Sequence, residues 1–202
     1  MDLRDALTQI SEIREQVART EVFRGYRAVP VAFSGLLALG VAAFQSAWLG
    51  DPQAHIEAYL ALWVGAAVLS MLATAIEMML DSKRRSSRLA LQTTWLALGQ
   101  FVPCVVAGGL LLVVLLLHAR DSLWMLPGLW ALLFSLGIFA SYRLLPQATF
   151  WVATFYMAAG AVCLTLGPAA LSPWTMGIPF GVGQLFAAGV LYWTLERNDV
   201  ES

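Results

Sequence analysis

The chain of 202 residues is 59% hydrophobic and 12% charged, whereas soluble domains are about 45–50% apolar and about 25% charged. Mean hydropathy is +0.72, and twelve basic residues nearly balance thirteen acidic ones, for a net charge of −1. That balance excludes a basic nucleic-acid-binding domain and an acidic disordered chain. Two cysteines, Cys104 and Cys163, exclude a disulfide framework or a cysteine-rich metal centre. The composition is that of an integral membrane protein, with the lipid bilayer as its first partner.

The first patterned element precedes any apolar run. Leu3, Leu7, Ile10, Ile13 and Val17 recur at spacings of three and four, with Arg4, Asp5, Glu12 and Glu15 between them. This periodicity predicts an amphipathic helix. Residues 1–27 hold five arginines and five acids, so their side chains carry no net charge. Helices that bind anionic lipid are normally basic. The balance therefore favours a protein partner or a second copy over the membrane surface or the chain's own loops.

About 20 apolar residues are needed to cross a hydrocarbon core of about 30 Å, and six windows are candidates. They are Ala28–Leu49, Ala58–Leu80, Thr94–Leu117, Ser122–Tyr142, a shorter Thr149–Leu166, and Pro173–Leu195. The runs are continuous rather than alternating with period two, which excludes a β-barrel. The expected fold is an all-α membrane protein: a six-helix transmembrane domain over 28–195, the amphipathic helix 1–27 before it and a tail 196–202 after it. The first span lies behind a long charged segment and reads as an uncleaved anchor. No lipidation motif accompanies it.

Loop charges orient the bundle. Eleven of the twelve basic residues fall in the N-terminal segment, in the loop after the second span (Lys83, Arg84, Arg85, Arg88), at Arg143 and at Arg197; the opposite side holds only Arg120. The positive-inside rule then makes both termini cytoplasmic. Trp48, Trp124 and Trp174 at the expected outer ends, and Trp95, Trp151 and Trp193 near the inner ends, form two interfacial belts. Trp63 and Trp130 sit deeper, where their indole N–H groups require partners inside the bundle.

Charge within the spans is scarce. Glu77 is the one acid, a turn from the cytoplasmic end, with Asp81 and Arg84 on the same helical face. It reads as an interfacial ion pair or as a carboxylate at a cytoplasmic mouth. Two interrupted stretches carry uncharged polar groups: Gly99-Gln100-Phe101-Val102-Pro103-Cys104 and Gly177-Ile178-Pro179-Phe180-Gly181-Val182-Gly183-Gln184. Proline frees a carbonyl, glycine lets the backbone bend, and glutamine can satisfy what is freed. Such helices mark transporter binding sites. Equally, Gly177 and Gly181 suit a close-packing seam between helices. A loose repeat, Gly35–Leu39 against Gly128–Leu132 and Gly65–Ser70 against Gly160–Thr165, would make two inverted halves.

His55 and His118 lie near Asp51, Glu57 and Asp121, but without ligand-pair spacing. Neither metal nor cofactor is therefore expected. No nucleotide-binding, metalloprotease or serine-hydrolase motif occurs, and both cysteines lie in apolar surroundings that favour an inert thiol. No catalytic residue is assigned and no enzyme is expected.

Leu123-Trp124-Met125-Leu126-Pro127-Gly128-Leu129-Trp130 with Phe134-Ser135-Leu136-Gly137, Leu171-Ser172-Pro173-Trp174-Thr175-Met176-Gly177, Pro179 to Gln184, and Glu21-Val22-Phe23-Arg24-Gly25-Tyr26 together resemble a group of small bacterial inner-membrane proteins. The likeness covers most of the chain. It implies a bacterial cytoplasmic membrane and assigns no functional residue.

The leading expectation is a non-enzymatic module that assembles with itself or a protein partner. Its contact surfaces would be Leu3, Leu7, Ile10, Ile13 and Val17 on the first helix, and the Gly177/Gly181 seam. The alternative is a small transporter or channel for a neutral or weakly polar solute. Its site would lie among Gln100, Pro103, Gly181 and Gln184, with Glu77 at the mouth.

Overall fold

The computed structural model describes residues 28–50, 52–85, 88–142 and 145–196, with side chains described outside 81–98 and 195–196. The expected amphipathic helix, with Leu3, Leu7, Ile10, Ile13 and Val17, lies outside the described residues, as do Arg143 and Arg197. Among the described residues the chain is helical and has no strand. Its helices are α1 (Ala28–Trp48), α2 (Ile56–Arg85), α3 (Arg88–His118), α4 (Leu126–Ala140), α5 (Thr149–Thr165) and α6 (Pro173–Leu191). A 3-10 segment, Arg120–Met125, leads into α4, another, Gly167–Ala170, follows α5, and a π-turn, Tyr192–Glu196, extends α6.

Among the described residues, five helices are long and apolar enough to cross a membrane: α1, α2, α3, α4 with its leading segment, and α6. Helix α5 has 17 residues; at about 1.5 Å per residue it rises about 25 Å, a little less than a hydrocarbon core. It still runs the length of the bundle, antiparallel to α4. Gly160, near its end, meets Gly128 at the start of α4. The Ser135 hydroxyl donates to the Ala153 carbonyl at 2.7 Å midway, and Phe139 and Phe150 stack edge to face at the other end.

Helices α1 and α6 form the other long antiparallel pair, and α1–α6 and α4–α5 are the most extensive helix contacts in the molecule. Glycine makes both possible. A Cβ on Gly35 would lie 2.9 Å from the Gly181 carbonyl oxygen, and one on Gly181 would lie 2.5 Å from Leu39. One on Gly177 would strike the Ala42 methyl. In the second pair, a Cβ on Gly128 would fall 2.8 Å from the Gly160 carbonyl, and one on Gly160 2.8 Å from the Gly128 carbonyl. Helices in lipid associate through such close packing, because apolar surface gains little by leaving lipid tails for a neighbour. Ala28 and Val31 at the start of α1 pack with Ala188 and Leu191 at the end of α6, so the described chain enters and leaves at the same end of the bundle.

Between the pairs lies an aromatic layer. Phe134 sits 4.7 Å from Tyr156, 5.7 Å from Phe180 and 5.0 Å from Phe101, centroid to centroid. These rings fill the space among α3, α4, α5 and α6. Opposite the chain's entry is the loop end, built by the α1–α2 turn, the Arg120–Met125 segment and the α5–α6 turn. Gly50 and Gly167, both with positive φ, make its turns. Ser172 and Thr175 form a capping box that starts α6, with Pro173 at its first position.

Candidate functional site

The residues nominated from sequence separate in space. Gly177, Gly181 and Gln184 face α1: Gly177 meets Ala42, Gly181 meets Leu39, and the Gln184 Cβ lies 3.1 Å from where a Gly35 Cβ would be. Gln100 and Pro103 are exposed on α3, which packs mainly on α4. The structure therefore does not join Gln100 and Pro103 to Gly181 and Gln184 around one cavity. Glu77 is half-buried on α2, and the side chains of Asp81 and Arg84, which would share its face, lie outside the described residues. The glycine seam offered as an interaction surface is occupied within the chain by α1. The repeat glycines take unequal places as well. Exchanging the halves would carry the α1–α6 contact onto α4–α3, but Gly128 faces α5.

Two features remain after these assignments. The first is the outward surface of α2 and α3. In α1, α4 and α6, 44%, 39% and 39% of the spanning window is buried inside the protein, against 17% in α2 and 6% in α3. Along α3, Val102, Val106, Leu110, Val113 and Leu117 are all more than half exposed. Gly99 and Gly109 lie on the same helix, and a Cβ at either would meet nothing within 4 Å. Helix α3 thus carries an open, flat glycine–valine–leucine strip.

The second is at the loop end. Gln45, fully buried in the last turn of α1, donates through Nε2 to the Tyr59 carbonyl of α2 at 3.1 Å. The Tyr59 hydroxyl donates to the Ser172 carbonyl at 3.1 Å, so one chain of contacts ties α1, α2 and the start of α6. Leu60, Trp63, Leu123 and Leu126 pack around it. Above this layer is an open depression of about 310 Å³ between the start of α2, the Arg120–Met125 segment and the α5–α6 turn. Ile56, Leu123 and Leu171 supply its apolar floor; Gln53, Arg120, Asp121 and Trp124 supply its polar wall. Arg120 anchors its Nε on the Leu116 carbonyl at 3.1 Å and places Nη2 3.8 Å from the Glu57 carboxylate.

The deep tryptophans diverge. The Trp130 indole donates to the Gly108 carbonyl at 3.1 Å and ties α4 to α3. The buried Trp63 indole has no hydrogen-bond partner among the described residues, nor have Gln45 Oε1 and the Tyr156 hydroxyl. Sequence reasoning singled out the two tryptophans but not Gln45 or Tyr59. Glutamine at the last turn of a span reads as an interfacial residue, and its burial depends on where α2 returns. Among the described residues no three His, Cys, Asp or Glu side chains come together to hold a metal ion. His55 and His118 are exposed. No protein family, curated protein or solved structure matches the chain.

Proposed function

We propose that the chain is a non-enzymatic membrane module that assembles with itself or with a protein partner, in a bacterial cytoplasmic membrane with both termini in the cytoplasm. One observation carries this reading: α3, the most apolar span, has only 6% of its window buried inside the protein. A membrane helix holds its place by packing, since lipid already satisfies its apolar side chains. A strip with Gly99 and Gly109 open to close approach offers such packing to another helix. The charge-balanced segment 1–27, whose apolar periodicity predicts an amphipathic helix, would be a second contact on the cytoplasmic side. The bacterial membrane follows from the sequence resemblance and the orientation from the loop charges.

The test uses native mass in mild detergent, with co-purifying chains identified, for the wild type and Gly109→Leu. Among the described residues nothing lies within 4 Å of a Cβ there, so the variant should fold and melt like the wild type. An oligomer or partner present in the wild type and lost in the variant is the expected result. A lone particle in both samples would overturn the proposal.

A further inference from the structure

The depression at the loop end has a composition that assembly does not explain. Its wall holds a cation and an anion side by side, Arg120 and Asp121, over a floor of Ile56, Leu123 and Leu171. Arg120 uses one N–H on the Leu116 carbonyl, and its other contact is the exposed pair with Glu57 at 3.8 Å, beyond hydrogen-bond reach. A guanidinium has five N–H donors in a planar fork, so most of this one is unused while its Nε is held in place. The Asp121 carboxylate and the Trp124 indole make no hydrogen bond or ion pair among the described residues. Two polar groups and the free part of a guanidinium therefore border one concavity. The depression lies at one end of the helices, and a bilayer crossed by them would have its head groups at that end.

The charges restrict what fits. A simple anion on Arg120 would meet Asp121 and Glu57, and a simple cation on the carboxylates would meet Arg120. A molecule with both signs satisfies both walls. Arginine pairs well with the oxygens of a phosphate through parallel N–H bonds, and a carboxylate accepts hydrogen bonds from an ammonium that still carries N–H groups. The apolar floor suits the carbon chain of a tethered ligand.

We propose that this depression binds a phosphoethanolamine group, with the phosphate on Arg120 and the primary ammonium on Asp121. The same group occurs as the head of phosphatidylethanolamine and as free O-phosphoethanolamine. Trp124, on the same wall, supplies a further N–H donor for the ester oxygens.

Thermal unfolding of the full chain in phosphatidylcholine vesicles tests this. The additions are phosphatidylethanolamine, phosphatidylglycerol or free O-phosphoethanolamine, each titrated. Ligands that bind only the folded state raise the melting temperature in a saturable manner. Phosphatidylethanolamine should do so, and phosphatidylglycerol, which lacks the ammonium, should not. Stabilisation by O-phosphoethanolamine as well would identify the free compound as a source, and stabilisation by the lipid alone would identify the membrane. Arg120→Gln and Asp121→Asn should each weaken the effect by about tenfold, the loss expected for a charge-assisted hydrogen bond. Both side chains are exposed, so neither variant should impair folding. Equal stabilisation by phosphatidylethanolamine and phosphatidylglycerol, no gain over phosphatidylcholine, or unchanged titrations in both variants would overturn the assignment.

Discussion

Helices α3 and α6 invert the rule learned from soluble proteins. Helix α3 is the most apolar of the spans and the least buried, and α6 is the least apolar, with 39% of its window inside the protein. In water an apolar face seeks the core because burial removes it from solvent. In a bilayer that drive is absent between helices, and what selects neighbours is how closely backbones can approach. Helix α6 has Gly177, Gly181 and Gly183 turned towards α1 and Tyr156. Helix α3 turns only Gly108 inward, beneath Trp130, and leaves Gly99 and Gly109 open. Hydropathy therefore reports that both helices belong in lipid, and glycine placement reports which one is at the centre.

The largest effect should come from filling a seam. In Gly128→Leu the new side chain meets the Gly160 carbonyl and Leu164, both within 3 Å of its Cβ. Backbone on one side leaves little room to give, so stability should fall by about 3 kcal/mol, seen as a lowered melting temperature or loss of folded protein. Gly109→Leu is the matched control on the open strip. It should leave the melting temperature unchanged and alter only the native mass. Equal destabilisation by both would break the distinction between seam and strip.

A smaller effect separates the two deep tryptophans. Trp130→Phe removes a donor from the Gly108 carbonyl and should cost about 1 kcal/mol, as interhelical hydrogen bonds in membranes do. Trp63→Phe removes an N–H without a partner among the described residues. Its loss of ring volume and its relief of an unsatisfied donor oppose each other, and the melting temperature should move less than for Trp130→Phe. The reverse order would mean that a group in solution satisfies the Trp63 N–H. Smallest of all, Arg120→Gln should change stability by less than about 0.5 kcal/mol in plain phosphatidylcholine, because the pair with Glu57 is exposed and long.

Much of the architecture was legible in the chain. Continuous apolar runs placed the helices close to where they occur, and the short run at Thr149 appears as the short helix α5. The need of Trp130 for an internal partner was readable too. The candidate sites were much less so. Gly177 and Gly181 identify themselves as a seam, but the letters do not say whether α1 or another chain closes it. Gln100 and Gln184 look equivalent in sequence, each beside glycine and proline, yet one is exposed on α3 and the other packs on α1. The loop-end depression draws on three segments separated by more than forty residues at each step, which no local pattern announces.

The sequence by itself determined that this chain is helical and apolar enough for a membrane, because each helix must satisfy its own backbone within the run and needs only length and hydropathy to do so. The tertiary structure alone decided which helices are central, which glycines are spent on internal contacts and which polar groups share a cleft. Those depend on pairwise fit between distant segments, and in lipid no burial signal in the sequence stands in for that fit.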